Sequence, residues 1–532
     1  MTEDDQRGDF SQFTDDGKEE FRKVTDEYLD DLLRRNPQVA TVLGSHEYDE
    51  DIPSGTRESV EEEIDDAEDL YNKLEEFGFL EAELLQEAVE YDLYMLDDLR
   101  LWSKNPSTAD AVISFIYPLY TRDFASLGER LESIAARLED CPEYVEESMS
   151  LIDEPVEIYV ENELEVCNQI PGFLQLIADT AGQMERQDVA YRINDAAEET
   201  LDAMEEYAEW LKSLNFEEDW RIGRERYSEL LETRKLRDVD ELRNLARREM
   251  DRAEEIMMEA LDEFEGDNPR EALDSIEEMT YEDFDEVLDG YVEDITDART
   301  YTGEEFVELP ENDGVEVIET PEHMSKLVPV DAYLQPAPLN KEETPLFVVT
   351  PDHRALPEHN PPEITGKAVG DFYPGRHLQQ VYSCRTESST HLLIDRFNNF
   401  GDDFTEGWSL YCQERAVEDG FAGKDLRIAY ARSKLQAAAR ALVEIDLHVD
   451  RITVKQAVEF LIENAGLTEG EAANEVRVYT ENPGQQVSGI AGYAGIREMR
   501  NETEMEEKEF HETLLRNGGL PVEFHRRVLQ QR

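Results

Sequence analysis

The chain has 532 residues, 39% of them hydrophobic, and a formal net charge of −78. The apolar residues are spread along the length in the amount a packed core needs, which excludes a simply disordered acidic chain. With no basic stripe to neutralise phosphates, nucleic acid is disfavoured as a partner and none is expected. The N-terminus, MTEDDQRGDFSQFTDDG, reads as an acidic tail over residues 1–16, without the basic and apolar regions of a signal peptide. No run of 18 apolar residues follows, so no membrane span is expected and the expected location is the cytoplasm. Helical periodicity then dominates. Residues 18–35 place Phe21, Val24, Tyr28, Leu29 and Leu32 on one stripe, and 59–77 place Val60, Ile64, Ala67, Tyr71 and Leu74 likewise. Further helical runs are expected over 81–104, 123–139, 155–181, 187–214, 238–265 and 281–298. The pattern breaks at 301–366, where prolines separate three strand-like stretches, 314–319, 330–335 and 345–350. Beyond them the chain is helical to its end. The expected fold is mainly α: one large helical domain over 17–532, with a lobe 17–300, a second lobe 301–532, and a small sheet inserted at about 314–350.

The charge itself carries an expectation. Lysine is scarce, 13 against 38 arginines, and carboxylates cover the outward helix faces. Such a surface repels itself unless screened, and the Debye length shrinks from about 10 Å at 0.1 M salt to about 3 Å at 1 M. The composition suits a halophilic protein in a salt-rich compartment. Cys141, Cys167, Cys384 and Cys412 have no zinc-ribbon or CxxC spacing and read as free thiols.

Three stretches could carry chemistry: GDFYPGRHLQQ (370–380), DDFTEGWSLYCQE (402–414) and ENPGQQVSGIAGYAGIREMR (481–500), the last followed by FHETLLRNGGLP (510–521). Each also has a plain structural reading. A lone histidine such as His377 is more often hydrogen-bonded structure than a ligand. Glu406 could simply open a helix, and glycines 484, 489, 492 and 495 could allow close helix packing. His377 and Cys384 are seven residues apart, hence on one helix face, and read as a shared buried face sooner than as a metal pair. Pro374-Gly375 directly before a helix predicts a kink there. HExxH, GxSxG, P-loop and dinucleotide fingerprints do not occur.

In order and spacing these stretches resemble the family known as domain of unknown function 885, a helical relative of the gluzincin metallopeptidases. Its hallmarks are HExxPGHHLQ, then EGWxLY about thirty residues on, then PGQ with a tyrosine and a glycine shortly after, then FHxxLLxxGxLP. Pro374, Gly375, His377, Leu378 and Gln379 match the first; Glu406, Gly407, Trp408, Leu410 and Tyr411 the second. Pro483, Gly484, Gln485 and Gly492 match the third, and Phe510, His511, Leu514, Leu515, Gly518, Leu520 and Pro521 the last. ATVLGSHEYDE (40–50) and IGRERYSELL (222–231) also look like family segments, so the resemblance spans nearly the whole chain. It implies a gluzincin-like, thimet-oligopeptidase-like helical fold and a zinc site on either side of the Pro-Gly step.

The departures point the other way. Gly370 stands where the family has its leading histidine, Asp371 for its catalytic glutamate, Arg376 for the first of its paired histidines, and Gly489 for the tyrosine after PGQ. A zinc hydrolase needs three protein ligands and an open position, and glycine supplies none. Aspartate is one methylene short for a general base, and Arg376 brings a fixed positive charge to a cation's place. The expected metal is therefore none, with His377 and Glu406 the only metal candidates left, and no cofactor. The catalytic role stays unassigned, with Asp371, Glu406 and His377 as candidates; the expected cleft residues are Arg376, Glu406, Trp408 and Tyr411, with Arg376 paired to Glu406. Three readings follow: an inactive relative binding a peptide, small ligand or partner; a hydrolase with altered chemistry using Asp371, His377 and Glu406; or a structural protein. The oligomeric state is not readable from the sequence.

Overall fold

Amphipathic stripes become helices wherever a cap and a partner face are available. In the N-terminal part, Ser126 and Glu129 form a reciprocal capping box that starts the helix Leu127–Ser148. It packs along Gln187–Ser213, whose buried stripe runs through Val189, Ile193, Ala197, Met204, Tyr207 and Leu211. The computed structural model describes residues 15–531 except 185, 263–274, 277–278, 342, 387, 398–399 and 451. The acidic tail expected over 1–16 therefore falls almost entirely outside the described residues.

The described chain is predominantly helical, with one three-stranded sheet. Its strands, β1 (Glu316–Glu319), β2 (Asp331–Leu334) and β3 (Leu346–Val349), lie within the three stretches expected. The order is β1-β3-β2, with β3 parallel to β1 and antiparallel to β2, so that Phe347 faces both Val317 and Tyr333 in register. The sheet also ties the molecule together. Arg122, in the N-terminal part, donates to the Gln335 carbonyl at 3.0 Å and pairs with Glu343 at 2.6 Å. On its other side Asp331 accepts from Lys367 at 2.6 Å.

One apolar core takes residues from Tyr227 to Tyr301 together with residues from Phe306 to Val522. The helix Val239–Leu261 lies along Gly423–Ile445 in that core, so the lobes drawn at residue 300 share it. A second core spans Ala109 to Leu211, and a third joins Phe21–Leu99 to Leu393, Phe400 and Phe524. Arg137 is fully buried, its guanidinium bonded to the Phe115 and Pro37 carbonyls and to Thr41 Oγ1, a core arginine that periodicity alone does not announce.

Three expected helices end differently. The run 81–104 is α-helical over Leu80–Leu93, widens into a π turn at Tyr94–Leu99, and stops at Arg100 in the left-handed region (φ 49°). The run 155–181 is two helices, Glu157–Cys167 and Ile170–Gln183, because Pro171 opens the second. The kinked helix expected at 370–380 is a break. Pro361–Lys367 continues as a π turn, Ala368–Phe372; the Tyr373–Pro374 peptide is cis; and a separate helix, Arg376–Ser383, follows.

Candidate functional site

The Pro-Gly step is fixed by a backbone contact. A Cβ on Gly375 would stand 1.9 Å from the Gly370 carbonyl oxygen, so only glycine lets the chain fold back on the π turn. Trp408, from the helix Asp402–Glu418, secures the step by donating its indole N–H to the Pro374 carbonyl at 2.9 Å. The 402–418 helix in turn crosses Ser488–Glu502 at backbone distance. A Cβ on Gly407 would meet the Tyr493 nitrogen at 2.3 Å, and one on Gly492 the Asp403 carbonyl oxygen at 1.6 Å. Close packing thus accounts for Gly492, and for Gly495, whose Cβ would lie 2.6 Å from Val522. Gly484 instead has a left-handed backbone, φ +86°. Gly489 is different: its Cβ would sit 3.8 Å from Glu406 and 3.9 Å from Ala437, ordinary contact distances.

The PGQ loop before that crossing is held by buried charge. Glu444, fully buried, accepts from the Gly484 and Gln486 backbone N–H groups and from the Tyr227 hydroxyl. Burial nevertheless outweighs these donors and pushes its carboxyl up to about 7. Arg234 donates to the Gly484 carbonyl and, at 3.0 Å, to Ser488 Oγ.

At the mouth of this framework Arg376 meets Glu406. Nη2 of Arg376 donates to both carboxylate oxygens at 2.8 Å, across thirty residues of sequence. The expected pair forms, and it is partly open to solvent, with 34% of the Arg376 side chain and 46% of the Glu406 side chain exposed. Glu406 holds the Arg376 guanidinium firmly protonated. Asp371 is half-buried beside them, and its carboxyl is raised by burial, against the pull of Arg376 and Lys367. Asp402 is pushed up to about 7 by burial, with Glu406, Asp403 and Asp395 adding repulsion. Arg234 offsets part of this at Asp402, as Arg376 and Lys367 do at Asp371.

The other candidates point into the core. His377 is fully buried; its Nε2–H donates to the Asp313 carbonyl at 2.7 Å, and its Nδ1 accepts from the Tyr333 hydroxyl at 2.6 Å. Burial pushes it down to about 4, so the ring is neutral with both nitrogens engaged. Tyr411 is buried and bonds His511 at 2.9 Å, and Trp408 is buried against Phe306 and Phe404, so neither lines an open cleft. Side chains not singled out in the sequence fill the place of residue 370: a Cβ there would meet Gln413 Nε2 at 2.4 Å and Ser409 Oγ at 2.9 Å. Their spacing was the available signal, since Glu406, Ser409 and Gln413 share one helix face. Among the described residues no group of three or more His, Cys, Asp or Glu side chains is arranged to hold a metal ion. No helix among them is long and apolar enough to cross a membrane.

The family described as "Bacterial protein of unknown function (DUF885)" matches residues 37–529. Two solved structures are similar over their full length. One, described as "a putative lipoprotein of unknown function from Shewanella oneidensis", is 20% identical with a TM-score of 0.76, covering 95% of this chain and 99% of its own. The other, "the putative lipoprotein from Colwellia psychrerythraea", is 15% identical with a TM-score of 0.80, covering 97% and 99%. No curated protein matches the chain. At this identity the likeness shows the fold. The lipoprotein descriptions nevertheless overturn the cytoplasmic expectation, which rested on the N-terminal composition and the lack of a long apolar run, and neither is a guide to where a chain of this fold resides.

Proposed function

The chain belongs to the DUF885 family of bacterial proteins of unknown function, and from that premise we propose that it is a metallopeptidase-like protein that binds a peptide or small ligand without zinc-dependent hydrolysis. The observation that carries this reading is the Arg376–Glu406 pair, with one guanidinium nitrogen 2.8 Å from both carboxylate oxygens. The donor set does not fit the zinc that a gluzincin relationship implies. Gly370 offers no ligand and Gln413 and Ser409 stand where its side chain would be; His377 has both nitrogens in hydrogen bonds; and the carboxylate of Glu406 is held by a cation that would repel a second one. His377, being neutral and committed to Asp313 and Tyr333, also weighs against the altered-hydrolase reading.

What supports ligand binding is the partly exposed, carboxylate-rich mouth and the sheet beside it. Tyr333 of β2 reaches His377, the neighbour of Arg376, and an edge strand there could pair with an extended peptide. Equilibrium dialysis against a tryptic peptide mixture, with and without EDTA, tests the reading. The expected result is retention of peptides, uncleaved, in both conditions. EDTA-sensitive cleavage, or no retention at all, would overturn it.

The same proposal assigns the helical body to the gluzincin architecture of thimet-oligopeptidase type. Superposition on a zinc-bound peptidase tests this, because the 361–383 and 402–418 segments must overlay its metal-binding helices. The charge of −78 further supports adaptation to high salt. Circular dichroism across a potassium chloride series should then show helix loss at low salt; full helicity and an unchanged melting midpoint at about 0.1 M, where screening reaches only ~10 Å, would contradict it.

A further inference from the structure

A second polar site lies behind the ion pair. The chain turns at Gly518-Gly519 between the helices Glu507–Arg516 and Val522–Gln531, with Gly518 in the left-handed region at φ +74°. Two helices close over this turn with residue pairs four apart: Gln379 and Ser383 from 376–383, His391 and Asp395 from Ser389–Arg396. A Cβ on Gly518 would lie 3.1 Å from His391 Cδ2 and 3.4 Å from Ser383 Oγ; one on Gly519, 2.1 Å from Asp395 Oδ1 and 2.9 Å from Gln379 Nε2. Ser383 donates to Asp395 at 2.9 Å, and His391 Nε2 donates to the Asn517 carbonyl at 2.9 Å.

Within this closed corner several polar atoms have no protein partner among the described residues. Among them are both polar atoms of the Gln379 amide, Nδ1 of His391 and Nδ2 of Asn517, with the ring nitrogens of His525 close to the same turn. Gln379, His391 and Asn517 are 0%, 5% and 6% exposed. Unpartnered polar atoms are rare in native interiors, and a cluster of them calls for bound solvent or ligand. Their chemistry specifies which. The two amide nitrogens donate. Gln379 Oε1 accepts, and so does His391 Nδ1, because the proton of this ring is on Nε2. A metal ion would face two N–H donors, and an anion would face two lone pairs and the Asp395 carboxylate. Only a group that both gives and takes hydrogen bonds suits all four.

We propose that Gln379, His391 and Asn517 form a hydroxyl-binding site over the Gly518-Gly519 turn, filled by ordered water molecules or by a small polyol. One turn before Gln379 on the same helix face, Arg376 Nε is also buried without a protein partner, so the polar row runs up to the ion pair. The site thus backs the helix that presents Arg376 to Glu406, and it stands whether or not the mouth binds peptide.

A high-resolution crystal structure of the full chain grown without polyols tests this directly. Ordered waters should lie at about 3 Å from Gln379, His391 Nδ1 and Asn517 Nδ2. Density for an ion there, or direct bonds among these side chains with no solvent between them, overturns the proposal. Thermal melts of Gln379→Met give a second readout. Removing a solvated amide strands its solvent, and the midpoint should fall by about 2 °C; an unchanged or higher midpoint, as for a truly unpartnered group, overturns the site. A glycerol series separates the two occupants. A saturable extra stabilisation of the unaltered chain over Gln379→Met identifies a polyol, and parallel curves identify water.

Discussion

The helix crossing at Gly407 and Gly492 and the mouth at Arg376 and Glu406 come from the same sequence motifs but obey different physics. At the crossing, backbone meets backbone. A Cβ on Gly492 would lie 1.6 Å from a carbonyl oxygen, and neither neighbour can turn aside. At the mouth, side chains meet side chains. Residue 370 is bounded by the ends of Gln413 and Ser409, residue 489 by nothing closer than 3.8 Å, and Glu406 and Arg376 are partly in solvent. Change at the mouth, where only side-chain ends must shift, should therefore cost less in stability than change at the crossing, where backbone must.

That contrast breaks most visibly with one methyl group. Gly492→Ala should cost about 3 kcal/mol or prevent folding, as overpacking against rigid backbone does. A denaturant melt of the variant matching the unaltered chain would remove the rigid half of the comparison.

The charged cradle of the PGQ loop should give the next largest effect. Glu444 titrates at about 7 in the folded chain against an ordinary 4.5. Between those values the folded state binds more protons than the unfolded state, so this group is fully tolerated below pH 4.5 and costs stability as pH rises toward 7. The loss is of order 3 kcal/mol for a shift of this size. Glu444→Gln should flatten that part of the stability–pH curve, measured at constant high salt; an unaltered slope would show that Glu444 is not its source.

Effects at the mouth should be smaller. Arg376→Ala removes a partly exposed pair and should change stability by about 0–1 kcal/mol, far from the cost of stranding a buried charge. A loss of several kcal/mol would show that the pair is structural. Smallest is Gly489→Ala, which places a methyl at ordinary contact distance in a helix and should be neutral or stabilising by up to about 1 kcal/mol. Marked destabilisation there would mean that the mouth is as rigid as the crossing.

The same contrast governs what could be read beforehand. Helix stripes and the three strands were legible because periodicity and prolines write them locally; all three strands fall within the stretches expected. The approach of Arg376 to Glu406 was legible because opposite charges at motif positions suggested a pair. Its exposure was not, because solvent access depends on how distant elements sit around it. His377 drew attention as a motif residue, yet its partners, Tyr333 and the Asp313 carbonyl, come from the inserted sheet and the loop before it. The break at Pro374 was misread as a kink because the contact that forces it, Gly375 on the Gly370 carbonyl, is a distance that no residue pattern encodes. Gln413 was overlooked because its role arises only from the missing side chain opposite it.

The central claim is that an ion pair has replaced a metal centre, and zinc stoichiometry tests it most directly. The chain is dialysed in high-salt buffer against excess zinc, washed, and analysed for metal. The account predicts far less than one zinc per chain, both for the unaltered protein and for Glu406→Ala. One tightly held zinc per chain, lost in Glu406→Ala, would contradict it.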